Sequence, residues 1–440
     1  MIRCISNVVA NHLCTSCGTC AGVCPTRALE MVETPAGLVI PKLDADLCTE
    51  CGLCDLVCPQ MSVPATMQEH LASPYVGPIQ GAYLGGSSAP AVAAQGQTGG
   101  LVRSLLAFSL ESGLADAAVC VVDRPEHPLR PAATLIRSPA EALAVSRSKY
   151  CPIPVNALLS DMLEFDGRLA YVGLACHMQG LSLALEHLPK LRAKIALRIG
   201  LFCDRVLTFA AVDYLLRCAR AAPQNVTAFD YRHQAWKGWP GNTRVVTRDG
   251  RVRNVPRRRR IDSIRWFTPT PCRLCIDKLN ALADLSLGDP YGLTRGKKVP
   301  TAAIVRTETG NDLLQKAHKA GVITLSPADV AAMTGHQGNA ERVARCLMFG
   351  REMLHRGYEL PEFLKTAPIT VTKEGPRPLR VRWAVGFADF AETPTGAWMI
   401  RRIPWWIPLL WGAPRRWYRM GRAILAGALK RLTGSHPGRG

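Results

Sequence analysis

Cys14-Thr-Ser-Cys17-Gly-Thr-Cys20-Ala-Gly-Val-Cys24-Pro25 is answered 34 residues later by Cys48-Thr-Glu-Cys51-Gly-Leu-Cys54-Asp-Leu-Val-Cys58-Pro59. Each run spaces three cysteines by two residues and adds a fourth, followed by proline, after a gap of three. Two-residue gaps let three thiolates converge on one face of a cubane, while the proline-linked fourth reaches across to a neighbouring cluster. On that rule Cys14, Cys17, Cys20 and Cys58 hold one [4Fe-4S] cluster, and Cys48, Cys51, Cys54 and Cys24 hold the second. Structural zinc uses more widely spaced cysteine pairs and is the alternative reading of the same thiols.

The doubled run is that of a bacterial two-cluster ferredoxin and sets the first domain at residues 1–64. The chain has 440 residues, so a core can be built without a disulfide scaffold, and length does not explain seventeen cysteines, nine of them within the first 58 positions. No charged and then apolar leader pattern precedes them, so thiolate-ligated metal in a reducing cytoplasm is expected. With 48% hydrophobic and 20% charged residues the composition is globular, which excludes a disordered or collagen-like chain.

Charge is partitioned along the chain. The net charge is +20, yet residues 1–64 hold three basic and six acidic side chains, whereas residues 377–440 hold twelve Lys/Arg against Asp389 and Glu392. That basic tail also carries six of the nine tryptophans: Trp383, Trp398, Trp405, Trp406, Trp411 and Trp417. Trp beside Arg suits an anionic membrane surface on the cytoplasmic face better than nucleic acid, which is not an expected partner. The apolar run from Ile403 to Gly412 is broken by Pro404 and Pro408 and is half the roughly 20 residues a spanning helix needs. Residues 415–432 wind into an amphipathic helix suited to lie flat on lipid; packing of that helix on protein is the alternative.

A Pro/Ser/Gly/Thr-rich stretch at 65–78 reads as a linker, and residues 361–440 as the tail. Between them, 79–360 alternate strand-like and helix-like segments, the pattern of a mixed α/β domain. Strands are expected at 79–86, 117–123, 168–174, 195–203 and 284–288, and helices at 99–112, 155–164, 179–188, 209–221 and 341–356. A hairpin is expected about Asp249-Gly250. Residues 26–31 read as a short helical piece, and the run Arg257 to Arg260 as a solvated charged strand or a recognition patch for acidic groups.

Four further cysteines sit where an open α/β sheet presents ligands: Cys176 and Cys203 after strands, and the pair Cys272 and Cys275 on a turn. Together they could ligate a third cluster; small core residues are the alternative for the first two. Cys4, Cys120, Cys151, Cys218 and Cys346 lack partner spacing and read as core or surface thiols.

The ordered set of the ferredoxin run, Gln97-Thr98-Gly99-Gly100, Ser148-Lys149-Tyr150, Val172-Gly173-Leu174-Ala175-Cys176, Gly200-Leu201-Phe202-Cys203 and Cys272-x2-Cys275 leading to Asp284 and Asp289 resembles the family of coenzyme F-420 hydrogenase/dehydrogenase beta subunits over about residues 10–360. Two departures stand out: Ala175-Cys176-His177 replaces the family's usual Pro-Cys-Gln, and the tail beyond about 375 has no counterpart. The resemblance implies an FAD- and iron-sulfur-containing oxidoreductase, a mixed α/β flavin-binding domain and a third [4Fe-4S] cluster. Gln97, Thr98, Gly99 and Gly100 open a helix whose N–H groups suit a flavin pyrophosphate or ring edge, with an ordinary glycine turn as the alternative. Lys149 could place a cation near flavin N1, with a surface lysine as the alternative; Asp284 and Asp289 could bind ribose or hold a supporting contact, with structural capping as the alternative; His177 could deliver a proton to substrate, with hydrogen-bonded scaffold as the more usual role.

Clusters move one electron at a time and most organic reductions need two, so a flavin converter is expected. The leading expectation is a reductase taking electrons from ferredoxin or a reduced deazaflavin coenzyme to an organic substrate. An electron-transfer subunit of a larger complex, a homo-oligomer, and a membrane-associated accessory protein of polysaccharide biosynthesis are the other readings.

Overall fold

The computed structural model describes residues 4–404 and residue 407, apart from 146, 235–237 and 295, with side chains from residue 7 onward. In the ferredoxin segment, β1 (Leu29–Glu33) and β2 (Val39–Leu43) form an antiparallel pair. Helices Thr19–Gly22 and Leu53–Leu56 start after Gly18 and Gly52, which take positive φ of 83° and 74°. The helical piece expected at 26–31 is instead the entry to β1. Leu29 and Met31 turn to one side and Glu30 to the other, the period of two that belongs to a strand.

The central domain supplies β3 (Gly81–Ser87), β4 (Ala117–Val122), β5 (Ala132–Ile136), β6 (Leu169–Gly173), β7 (Ile195–Leu201), β8 (Val226–His233), β9 (Asn242–Thr247), β10 (Val252–Val255), β11 (Leu285–Gly288), β12 (Thr301–Val305) and β13 (Ile323–Pro327). Eight of them make one mixed sheet in the order β13-β3-β12-β11-β7-β6-β4-β5, and β8, β9 and β10 make a separate antiparallel sheet. The inner neighbours β11, β7, β6 and β4 are parallel, and the outer pairs antiparallel. Every residue of β6 is buried, as an apolar run must be when helices cover both faces of a parallel core.

The hairpin expected about Asp249-Gly250 is β9–β10, with Val246 opposite Val252. Strands β5, β8, β12 and β13 go beyond the expected alternation; β5, β12 and β13 are antiparallel additions at the flanks, where local sequence carries no crossover signal. The arginine run is not a strand. It opens the helix Arg257–Phe267 after Pro256, and Arg260 is buried and donates to the Tyr231 carbonyl.

The linker stretch is fastened down. It contains the helix Ala65–Glu69, Tyr75 is fully buried, and buried Arg306 donates to the carbonyls of Val76 at 2.9 Å and Pro78 at 2.8 Å. One apolar cluster runs from Val8 and Leu13 through Leu181 and Tyr214 to Val385, Ile400 and Ile403. The near part of the basic tail therefore packs on protein. Helices Leu379–Glu392 and Pro394–Arg402 bury Val381, Val385, Ala397 and Ile400, and Arg401 pairs with Glu33 at 2.7 Å and Asp213 at 2.9 Å. The helix expected at 415–432, with Trp405, Trp406, Trp411 and Trp417, lies outside the described residues. Among the described residues no helix is long and apolar enough to cross a membrane.

The ferredoxin segment meets the central domain backbone to backbone. A Cβ on Gly22 would stand 1.9 Å from the Asn156 carbonyl oxygen, and one on Gly180 would stand 2.1 Å from Thr19 Oγ1. Glycine at both positions is what lets the two surfaces close.

Candidate iron-sulfur and cofactor site

The doubled cysteine run folds into two groups of thiols. Cys24, Cys48, Cys51 and Cys54 line one small cavity between the β1–β2 hairpin and the helix Leu53–Leu56. The other group is seen through its electrostatics. Burial raises the Cys20 thiol well above its ordinary value, and Cys17, Cys14, Cys58 and Cys54 push the same way. Burial takes Cys14 up to about 12, with Cys17 adding to it and a Ser16 N–H opposing. The structure thus brings together Cys14, Cys17, Cys20 and Cys58 across the two runs, with Cys54 of the second group beside them.

Cys176, Cys203, Cys272 and Cys275 also converge. Burial raises Cys176 most, and the charges of Cys17, Cys203, Cys272 and Cys275 add to it. Cys272 is pushed up to about 11 by burial, against a Val206 N–H that lowers it. The reason for the convergence is topological: Cys176 opens the helix after β6, Cys203 follows β7, and the pair sits on the short helix Thr270–Leu274 and its cap. Among the described residues no three His, Cys, Asp or Glu side chains are close enough for one bare metal ion. Buried thiols held at high pKa give up their protons only to a strongly positive centre, which an iron-sulfur core supplies. Arg342, 5% exposed, adds positive charge, donating to the Cys275 carbonyl at 2.9 Å and the Asp204 carbonyl at 2.8 Å. Cys346 is not one of the four. It is fully buried and its thiol donates to the Leu274 carbonyl at 2.7 Å.

At the carboxyl ends of β4, β6, β7 and β11 lies a cavity of about 470 Å³, lined among others by Gln97, Thr98, Gly100, Arg103, Cys120, Lys149, Cys151, Gly173, His177, Cys203, Arg232 and Asp289. That is the crevice in which open α/β sheets bind ligands, and its volume is within the roughly 300–1,000 Å³ of small-molecule sites. Cys203 belongs both to this wall and to the third group of thiols. A second, more open cleft of about 950 Å³ adjoins it through Gly96, Gln97 and Arg147 and carries Lys297, Lys298 and His233.

The residues expected around a flavin fare differently. Gln97 donates through Nε2 to the Arg232 carbonyl, while its Oε1 is buried and no donor reaches it among the described residues. Gln97 is one of the residues that line the cavity. Gly99 and Gly100 have φ of 49° and 76° and precede the helix Leu101–Glu111, but a Cβ there would meet Gly85, Gly86 and Val92. Glycine is needed at that turn for packing against β3 and its following helix. Lys149 lies in the wall, 2.7 Å from Asp123, so part of its charge is already balanced.

Asp289 lies in the wall and holds Arg232 in a bidentate pair at 2.7 and 3.0 Å, with Trp239 Nε1 donating at 3.1 Å. Burial alone would raise that carboxyl, but the charge and hydrogen bonds of Arg232, with those of Trp239 and Tyr291, outweigh it and lower its pKa. Asp284 corrects the ribose expectation. It stands at the other end of β11, accepting from Arg198 Nη2 at 2.9 Å, the Arg198 N–H at 2.7 Å and Thr307 at 3.0 Å. Four strand residues separate it from Asp289, which puts it about 13 Å or more away along the chain. His177 is 4% exposed and both ring nitrogens are used. Nδ1 accepts from the Leu174 N–H at 3.2 Å and the ring also bonds the Ile153 backbone. Burial takes its pKa down to about 4. A neutral ring with no spare N–H holds the Cys176 turn in place, which is the scaffold alternative and not the proton-donor role.

Arg103, Arg232 and Asn156 are functional candidates that sequence reading passes over. Arg103 is 4% exposed in the cavity wall, and its partners among the described residues, Gln95, Val92 and Leu143, are neutral, so its charge is unbalanced there. Arg232 is near the end of β8, where Phe229 to Arg232 are buried one after another, so no alternation marks it.

This site belongs to a recognisable lineage. Residues 82–160 match the model for the N-terminal part of the coenzyme F420 hydrogenase/dehydrogenase beta subunit, and residues 166–331 match its C-terminal part, together more than half of the chain. The chain belongs to the family of coenzyme F420 hydrogenase/dehydrogenase beta subunits. Residues 13–61 match a 4Fe-4S dicluster domain, so this family member is an iron-sulfur protein of an oxidoreductase lineage. It is 26% identical to a subunit of the F(420)H(2) dehydrogenase of Methanosarcina mazei over 348 residues, 77% of this chain and 93% of that one. It is 27% identical to the chloroplastic 7-hydroxymethyl chlorophyll a reductase of Oryza sativa over 224 residues, 49% of this chain but 45% of the relative. The F420-reducing [NiFe] hydrogenase complex of Methanosarcina barkeri contains a chain of the same fold, with a TM-score of 0.53 and 20% identity, covering 66% of this chain and 98% of that one. The two family-model matches end at residue 331.

Proposed function

We propose that the chain is an iron-sulfur flavoprotein oxidoreductase with three [4Fe-4S] sites in file and FAD in the cavity at the sheet's carboxyl edge. Cys24, Cys48, Cys51 and Cys54 would hold the outermost cluster, Cys14, Cys17, Cys20 and Cys58 the next, and Cys176, Cys203, Cys272 and Cys275 the third. The observation that carries the reading is the double position of Cys203, in the third thiol group and in the cavity wall, together with Cys17 beside Cys176. When bound, these groups supply one-electron exchange at the clusters and its conversion to two-electron chemistry at the flavin. The chain's own residues do the rest. Gln97 offers an unmet acceptor, Arg103 a cation for phosphate, Lys149 a partly balanced charge, and the Arg232–Asp289 pair a rigid wall. The adjoining cleft, with Lys297, Lys298 and Arg147, would admit an acidic electron carrier or substrate such as a reduced deazaflavin; ferredoxin at the acidic N-terminal segment is the other donor.

Denaturation of the purified protein is expected to release FAD without protease treatment, at about one per chain. Arg103→Met should weaken its retention at least tenfold in a gel-filtration assay. Protein with full iron but no flavin would place the family's organic cofactor elsewhere and sink the cavity assignment.

Peripheral attachment to an anionic membrane is a second part of the proposal. Trp398 and Met399 are 57% and 50% exposed, and Arg402 stacks over the Trp398 ring at 4.7 Å, an arrangement suited to a headgroup boundary. Flotation with anionic liposomes should succeed at low ionic strength, fall as salt screens the arginines, and vanish when residues after 395 are removed. Equal flotation of intact and shortened protein would leave the tail as a protein-packing element.

A further inference from the structure

We propose that the hydroxyl of Thr19, oriented by Asn156 and Tyr171, is a built-in donor to the Cys17 thiolate that raises the reduction potential of the cluster nearest the third site. The inference rests on Cys17 being a cluster ligand.

Four side chains form a buried chain at the seam between ferredoxin segment and sheet. Tyr171, on β6, donates its hydroxyl to Asn156 Oδ1. Asn156 Nδ2 donates to Thr19 Oγ1 at 2.8 Å and to the His177 carbonyl at 2.9 Å, and Thr19 Oγ1 lies 3.2 Å from Cys17 Sγ. Tyr171, Asn156 and Thr19 are all fully buried.

The direction of this chain is set by chemistry. The His177 carbonyl can only accept, so the amide group of Asn156 must face it and Thr19, and Oδ1 must face Tyr171. Tyr171 is then the donor. Thr19 receives a hydrogen bond from Asn156, which leaves its single proton for the sulfur. A ligating thiolate has no proton of its own, so it can only accept.

Place matters as much as direction. Burial raises Tyr171 well above the ordinary phenol range, and the charges of Cys17 and Cys176 both add to that, so the network is close to both thiol groups. Gly22 and Gly180, each backed directly against Asn156 or Thr19, hold the seam at this distance. A hydrogen bond to a cluster sulfur favours the more negative, reduced state and so raises the potential. Thr19 is thus a positioning and tuning residue that raises the potential of the middle site of the file.

The test is redox-titrated EPR on the full-length, anaerobically reconstituted protein. Thr19→Val keeps the shape and removes the proton. It should lower the midpoint of one N-terminal cluster by about 59 mV, a tenfold change in its reduced-to-oxidised ratio, and leave the other N-terminal midpoint and the iron content unchanged. Thr19→Ser should restore the wild-type midpoint. Tyr171→Phe, which leaves Thr19 in place, should lower the same midpoint by less, and it decides the matter if Thr19→Val loses iron. Unmoved midpoints in an iron-replete Thr19→Val or, in that event, Tyr171→Phe protein would overturn this inference alone. Wild-type protein with no cubane EPR signal would overturn the cluster reading and this inference with it.

Discussion

Replacing Cys272 and Cys275 together by serine is expected to remove about four iron and four acid-labile sulfide from a protein that binds about twelve of each, while both N-terminal cluster signals persist. The expectation follows from the way the thiols are grouped. Cys272 and Cys275 act on Cys176 and Cys203 and are absent from the causes that raise Cys14, Cys20 and Cys58. The third site should therefore fail alone. Because Cys203 is also part of the cavity wall, the same variant should keep the proposed flavin yet slow electron exchange between it and the N-terminal clusters by orders of magnitude. Iron and sulfide analysis with EPR decides the point. An unchanged iron content would return the four cysteines to the role of packed core thiols, and zinc in the wild-type protein would remove the cluster reading altogether.

Asp289→Ala is expected to cost about 3–5 kcal/mol, because it strands a guanidinium in the interior. Arg232 is 3% exposed, and Asp289 is its only carboxylate partner among the described residues. The remaining contacts of that guanidinium, the Tyr150 hydroxyl at 3.2 Å and the Pro240 carbonyl at 2.7 Å, are neutral and do not balance the charge. Denaturant midpoints should show the loss, and flavin retention should fall with it, since the pair forms one wall of the cavity. The double replacement Arg232→Met with Asp289→Leu removes both charges and should recover most of the stability without recovering tight flavin binding. A single Asp289→Ala variant within 1 kcal/mol of wild type would show that water reaches the arginine and that the wall is less dry than the geometry implies.

The apolar cluster that joins Leu13 to Leu181, and the glycine seam at Gly22 and Gly180, are shared by the ferredoxin segment and the central sheet. Removing residues 1–77 would expose that seam along with the Arg306 contacts to Val76 and Pro78. A shortened protein is thus a harsher test of electron entry than a cysteine substitution, which leaves the surface covered.

Sequence alone determined the grouping of the N-terminal cysteines, since ligand spacing within a few residues is a local property and needs no knowledge of distant contacts. It determined the inner strands as well, for β4, β6 and β7 are apolar runs, the last two followed by helices, and it located Cys176 and Cys203 at strand ends. The fate of individual polar side chains was another matter. Asp284 and Asp289 read alike in sequence, yet a four-residue strand carries one to Arg198 and the other to the cavity. His177 looked reactive beside Cys176, but the burial and backbone partners that silence it come from residues 153 and 174. Arg232 and Asn156 gave no local sign, because their partners are 57 and 137 residues away, in Asp289 and Thr19. Metal ligation is written in short spacings, whereas hydrogen-bond partners and desolvation are set only when distant segments close on one another, and that is why the tertiary structure alone decided which charged and polar groups face the cavity and which merely hold it together.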